Sequence, residues 1–324
     1  MQHQKLTCDD ASTLETEEQT SLLEWPRLSS PSYSSTRPAP RWVTVLGPTQ
    51  VLVFPNFLSV QDTGSLIEYI QQEMKIQIDD KIDPTKPRPR PVPKPGYAFR
   101  DNDRIQFQSE EFASMLWNKC GLRDRWTELW QHPKYGLESV HGESITSGPR
   151  NKKRVRHAVG LSHNIRMYRY QTGQSFGPHY DESVTDISDQ LGETVSEYTV
   201  LIYLNGERDS ELLGGETVFY PKGMKTLPAE GAGGASGKQS KKGSKASVSA
   251  SNNQENNSSS KSNGNSSNSG SSFSYVLPNG GVAVKPERGM LLVHKHGDDC
   301  MLHEALLVNR GFKYVLRTDV VYEP

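Results

Sequence analysis

The chain has 324 residues, room for one large domain or two ordinary ones, and its 33% hydrophobic content stays below the usual globular share even with its 27 glycines counted, so part of it is not core. With 37 Lys and Arg against 38 Asp and Glu the formal charge is −1, which excludes a global basic field for nucleic acid and an acidic excess for cations. The three scattered cysteines, Cys8, Cys120 and Cys300, exclude a disulfide framework or a CxxC metal knuckle and point to a reducing compartment. No stretch is apolar enough for a membrane span and the opening MQHQKLTCDD lacks the apolar core of a signal peptide, so the expected location is cytoplasmic or nuclear.

In chain order, residues 1–40 are rich in Ser, Thr, Pro and Glu, with one short apolar knot at Leu22, Leu23 and Trp25, and read as a disordered tail. One domain is expected over 41–324, with helical support at about 51–135 and a β core at about 160–324. The strand Val51–Phe54 leads to a helix whose Leu66, Ile67, Ile70 and Met74 recur at three and four spacing, with Ser59 and Asp62 placed as a capping box. The segment Pro84–Pro95 favours extended polyproline geometry, either as a stiff basic loop or as a ligand for an SH3-type partner. Helices are expected again at Glu110–Cys120 and Arg123–Gln131. The basic cluster Arg150–His157 reads as a solvated loop, an import signal or a nucleic-acid contact.

From Asn164 the pattern becomes short strands between Gly, Pro and Asp/Asn turns: Asn164–Tyr170, Thr199–Leu204, Glu216–Tyr220, Val282–Val284, Met290–His294, Leu302–Val308 and Lys313–Tyr322. So many short strands behind a helical half give a mainly β, α+β chain built on a sandwich or barrel. Alternation places Ile165 and Met167 on one face of the first strand and Arg166, Tyr168 and Tyr170 on the other. It likewise separates Thr199, Leu201 and Tyr203 from Val200, Ile202 and Leu204. A Gly/Ser/Asn/Lys tract at about 226–272 interrupts this half as a disordered insertion.

Two neutral imidazoles and one carboxylate on one face hold a redox-active divalent metal and leave coordination positions open. Three His-x-acid pairs occur, His141/Glu143, His179/Asp181 and His296/Asp298, so the dipeptide spacing alone selects none of them. His141 lies in a Gly/Ser-rich segment, and His296/Asp298 has only the cramped His303 downstream. His179/Asp181 has His303 on a distant strand. An isolated histidine is more often an ordinary core residue; here the flanks matter. The run Tyr170, Gly173, Phe176, His179, Asp181, then Gly214-Gly215-Glu216-Thr217 and Phe219, the Pro286–Gly289 turn, and His303-Glu304 followed by Lys313 together resemble the prolyl 4-hydroxylase type of Fe(II)- and 2-oxoglutarate-dependent dioxygenase.

The resemblance spans about Phe54 to Tyr322 and implies a double-stranded β-helix (jelly roll) with N-terminal helices on one sheet. It implies that His179, Asp181 and His303 hold Fe(II), that Lys313 with Tyr170 and Thr199 binds the far carboxylate of 2-oxoglutarate, and that ascorbate serves as reductant. Arg317 shares the strand face of Lys313 and either assists it or pairs with Asp319. Cys300 reads as packing or as a redox-sensitive thiol. The implied reaction hydroxylates a substrate C–H bond and releases succinate and CO2, most simply on a prolyl residue of an intracellular protein. Tyr314 stands where the family often has Trp, which bears on the substrate. A nucleic-acid demethylase or a small-molecule oxygenase is the alternative. Demethylases generally carry two arginines six apart near the C-terminus, unlike Lys313 and Arg317, which lie four apart. A binding module without activity is a third reading, opposed by the intact triad and Lys313.

Overall fold

The computed structural model describes residues 21, 23–29, 41–82, 85, 91–131, 143–147, 153–224, 226 and 273–324. One compact unit comprises 1–226 with 271–324, and 227–270 forms a second. That second unit lies outside the described residues, as do most of the expected tail, half of Pro84–Pro95, and His141.

The first unit opens with the hairpin β1 (Val43–Leu46) and β2 (Val51–Phe54), followed by α1 (Val60–Gln77). Ser59 caps α1 by accepting the Asp62 N–H at 3.0 Å, while its hydroxyl donates to the Asp62 carboxylate at 2.6 Å. Leu66, Ile70 and Met74 are fully buried along one stripe, as their spacing requires. Next comes β3 (Asp103–Gln108), where Ile105 and Phe107 are buried in alternation. The period of two was there to read inside a half assigned to helices. Ser109 caps α2 (Glu110–Ser114), which runs on through a π turn, Met115–Lys119, and α3 (Leu122–Gln131) completes the helical layer.

The chain then forms β4 (Glu143–Ser147) and β5 (Lys153–Leu161), paired antiparallel. The basic cluster is therefore not a loop from Lys153 onward: it runs into β5, whose second half, Ala158 to Leu161, is apolar. The remaining strands are β6 (Asn164–Gln171), β7 (Phe176–His179), β8 (Thr185–Ser188), β9 (Gly192–Tyr203), β10 (Leu213–Gly214), β11 (Thr217–Tyr220), β12 (Ser274–Val276), β13 (Val282–Val284), β14 (Leu291–Lys295), β15 (Leu302–Ala305), β16 (Val308–Arg310) and β17 (Phe312–Tyr322). The single strand expected at 302–308 is thus two, β15 and β16.

Strands β14, β9, β17 and β6 lie side by side in the larger sheet, and β13, β11, β15 and β7 in the smaller one, all antiparallel. Taken in sequence, these eight strands cross from sheet to sheet at every step except the β11–β13 hairpin. That is the strand order of a double-stranded β-helix, and the fold is mainly β with flanking helices.

Alternation sorts the side chains into two cores. Ile165, Met167, Val200, Ile202 and Leu204 pack toward the helices, whereas Tyr168, Tyr170, Tyr203 and Leu292 pack between the sheets. Each fully buried aliphatic contributes about 1.5–3 kcal/mol. Gly289, at φ +73°, closes the turn before β14 where an added Cβ would lie 2.2 Å from the Leu58 carbonyl oxygen, so only glycine lets this turn rest on the start of α1.

The expectation of a structureless tail over 1–40 fails at Ser21 and at Leu23 to Ser29. Trp25 stacks on Phe112 (centroids 4.3 Å) and Tyr69 (4.9 Å), and Ser21 Oγ donates to the buried Glu73 at 2.8 Å. The apolar knot is too short for a core of its own but completes the core of α1 and α2. No helix among the described residues is long and apolar enough to cross a membrane.

Candidate functional site

His179 ends β7 and His303 lies on β15, directly opposite each other in the smaller sheet. Asp181 follows two residues after His179 and folds back toward both rings. Its Oδ1 is 3.8 Å from His179 Nε2 and its Oδ2 is 3.6 Å from His303 Nε2. One donor atom from each of the three residues lies within 4.8 Å of the others, and all three side chains are buried. The fold therefore brings His303 onto a pair that ends 122 positions earlier in the chain, the three groups that the flanking motifs had singled out.

The tautomers suit cation binding. His179 Nδ1 lies 2.8 Å from the Gly177 carbonyl and His303 Nδ1 2.9 Å from that of Met301, so each ring donates from Nδ1 and turns its Nε2 into the site. Phe176 and Phe219 stack on the two rings and hold their planes. Burial and the neighbouring His303 push the His179 imidazole down to about 3, which keeps it neutral. Burial alone would raise the Asp181 carboxyl, but Arg317 and the adjacent imidazoles hold it well below the ordinary range, so it stays ionised. Burial likewise opposes charge on His303, yet Asp181 and Cys300 push its proton affinity up to about 10, so a cation arriving there displaces a proton. Asp181 Oδ1 is buried without a hydrogen bond, although Arg317 Nη1 stands 3.0 Å away. A carboxylate oxygen without a hydrogen bond, beside two inward Nε2 atoms of which that of His303 gives up its proton to an arriving cation, fits a divalent metal of the Fe(II) class.

The cavity between the sheets opens onto this triad and is also lined by Tyr168, Tyr170, Tyr203, Lys313 and Arg317. Lys313 stands opposite Tyr170 on the neighbouring strand. Its side chain is almost fully buried, with Nζ donating to the Gly215 carbonyl at 2.6 Å and standing 5.0 Å and 5.5 Å from the Tyr170 and Tyr203 ring centroids. Burial lowers its pKa to about 7, partly offset by Glu216. A cation this dry, facing two aromatic rings in a cavity, fits an anionic ligand group.

Thr199 departs from its expected role. Its side chain does not line the cavity; its hydroxyl donates to Asp181 Oδ2 at 2.8 Å and meets His296 Nδ1 at 3.0 Å. The strand face was read correctly, but β9 crosses the site at the level of Asp181, so Thr199 orients the carboxylate and Tyr203, two pleats on, takes the cavity position. Arg317 lies 3.7 Å from Asp319, one of the two partners expected for it, and also 3.0 Å from Asp181, a contact the sequence did not suggest. Sequence reasoning missed His294. This ring lies opposite Thr199 on β14, and its Nε2 is 3.5 Å from Asp181 Oδ2. The available signal was a polar residue on the inward face of the apolar run Leu291–Val293.

No protein-family model matches the chain, and no curated protein matches it. Among solved structures it is similar to a viral collagen prolyl hydroxylase from Paramecium bursaria Chlorella virus-1 in complex with 2OG, at 14% identity and TM-score 0.38, over 85% of this chain and 97% of that one. It is similar to a prolyl-4-hydroxylase from Pseudomonas putida at 12% identity and TM-score 0.39, over 84% and 92%. A third likeness is HygX from Streptomyces hygroscopicus with nickel and 2-oxoglutarate bound, at 14% identity and TM-score 0.37, over 86% and 83%.

Proposed function

We propose that this chain is an Fe(II)- and 2-oxoglutarate-dependent dioxygenase of prolyl 4-hydroxylase type, which hydroxylates a peptide C–H bond and releases succinate and CO2. The observation that carries the reading is that the His179–Asp181–His303 cluster and the buried Lys313 line one cavity. The structural neighbours named above are compatible with it, and the peptide substrate rests on the sequence motifs. Iron, when bound, supplies the dioxygen-activating redox chemistry.

The chain's own residues supply position, charge and dryness. His179, Asp181 and His303 are the ligands, with Thr199 and the Gly177 and Met301 carbonyls fixing their orientation. Lys313 receives the far carboxylate of 2-oxoglutarate, assisted by Tyr170 at the cavity wall. Arg317 adds a fixed positive charge at the end of the cavity beside Asp181, where the cosubstrate's second carboxylate would enter. The stacked aromatic walls exclude water from the reacting groups. Ascorbate belongs to this proposal as the reductant that restores iron oxidised in idle cycles.

Purified protein with Fe(II), ascorbate and 2-oxoglutarate is expected to form succinate faster when proline-rich peptides are added, with a mass gain of one oxygen on the peptide. Succinate stimulated by oligonucleotides or small molecules, but by no peptide, would move the substrate to the alternative class.

A further inference from the structure

We propose that His294, Cys300 and His303 form a second cation site, selective for a thiophilic divalent ion such as zinc, and that this site competes with the first for His303. Donor atoms of the three residues lie within 4.8 Å of one another. They come from three places in the fold: the inward face of β14, the loop after the turn Gly297–Asp299, and β15.

The independent sign of a missing ligand is His294. Its side chain is 2% exposed, and its Nε2 has no hydrogen-bond partner. Its Nδ1 lies 3.0 Å from the Lys295 carbonyl, so the proton sits on Nδ1, and Nε2 points inward, 3.5 Å from Asp181 Oδ2, with no donor hydrogen-bonded to its lone pair. The ring stands 4.5 Å from that of His303, and Cys300 Sγ lies within 4.8 Å of a ligand atom of each histidine.

Two imidazoles with a thiolate form a softer donor set than two imidazoles with a carboxylate, and prefer zinc or cadmium to Fe(II). A neutral imidazole has one lone pair, so His303 serves one ion at a time. Zinc held by His294 and Cys300 therefore takes His303 out of the first cluster, and the chain binds one ion in either place but not two. The site assigned here does not depend on the proposed reaction, because it needs neither His179 nor Asp181.

The test is a titration of the metal-free full-length protein with Cd²⁺, read by the ultraviolet thiolate-to-cadmium absorption. Wild type is expected to saturate at one ion per chain, and His179→Ala to show the same band. Cys300→Ser should lose it, and His294→Ala and the milder His294→Gln should weaken binding by about tenfold or more. A wild type without the band, a band surviving in Cys300→Ser, unchanged affinity in both His294 variants, or two ions bound per chain would each overturn the proposal.

Discussion

The guanidinium of Arg317 stands 3.0 Å from Oδ1 of Asp181, so the carboxylate proposed to hold a metal already faces a fixed positive charge in the metal-free fold. That charge is one of the causes that hold Asp181 ionised, and the stability it supports is present at neutral pH and lost as pH falls below the ordinary carboxylate range. Arg317→Met leaves the buried carboxylate short of a counter-charge. The metal-free variant should lose about 3–5 kcal/mol. A divalent cation can then supply what the guanidinium supplied, so Mn²⁺ should raise the melting temperature of Arg317→Met more than that of wild type. Equal shifts in paired thermal melts would show that the two positive charges do not share a task.

Lys313 has the opposite balance. Its ammonium is buried and its pKa is lowered to about 7, so the charged form costs stability below that pH and the fold gains stability as pH rises above it. Lys313→Met, close in shape and uncharged, should stabilise the protein by about 1–4 kcal/mol while weakening 2-oxoglutarate binding by about 2–5 kcal/mol. Denaturant unfolding and calorimetric titration give the two numbers on one sample. A variant that is less stable, or that binds 2-oxoglutarate unchanged, contradicts the assignment.

The same lysine sets a pH dependence for the wild type. Binding a carboxylate requires the ammonium, so above about pH 7 each binding event takes up a proton. The affinity for 2-oxoglutarate should fall by about tenfold per pH unit over that range. Titrations in buffers of different ionisation enthalpy measure the proton uptake directly.

Thr199 links the metal cluster to a buried network through Asp181 and His296. Thr199→Val keeps the shape and removes the donor. It should weaken divalent-cation binding by about 10–100-fold, and Thr199→Ser should recover most of the loss. A purely structural role would instead lower the melting temperature and leave cation affinity in place.

Trp25 is partly buried between Phe112 and Tyr69, outside the β core. Trp25→Ala should cost about 2–4 kcal/mol of unfolding free energy without moving cation affinity. A neutral result by chemical denaturation would place residues 21–29 outside the folding unit.

The β core was legible because its signals are local. Alternation in Asn164–Tyr170 and Thr199–Leu204 named the inward tyrosines, and the order of the motifs chose His179 and Asp181 over two similar pairs. What was illegible depends on three-dimensional level rather than on face. Thr199 and Tyr203 share a face of one strand, yet only Tyr203 reaches the cavity, because position along the strand relative to Asp181 is fixed by the register with β14 and β17. His294 was hidden at the end of an apolar run, where a polar residue reads as the close of the strand rather than as part of a site. Trp25 was lost because a segment too short to make a core gives no sign that it completes one elsewhere.

Succinate formation from 2-oxoglutarate tests the proposed activity most directly. Under air with Fe(II), wild-type protein should produce succinate above background, and His179→Ala, Asp181→Ala and His303→Ala should each reduce it to background while remaining folded by circular dichroism. Succinate that persists in all three variants, or that wild type fails to produce with any substrate class, would contradict it.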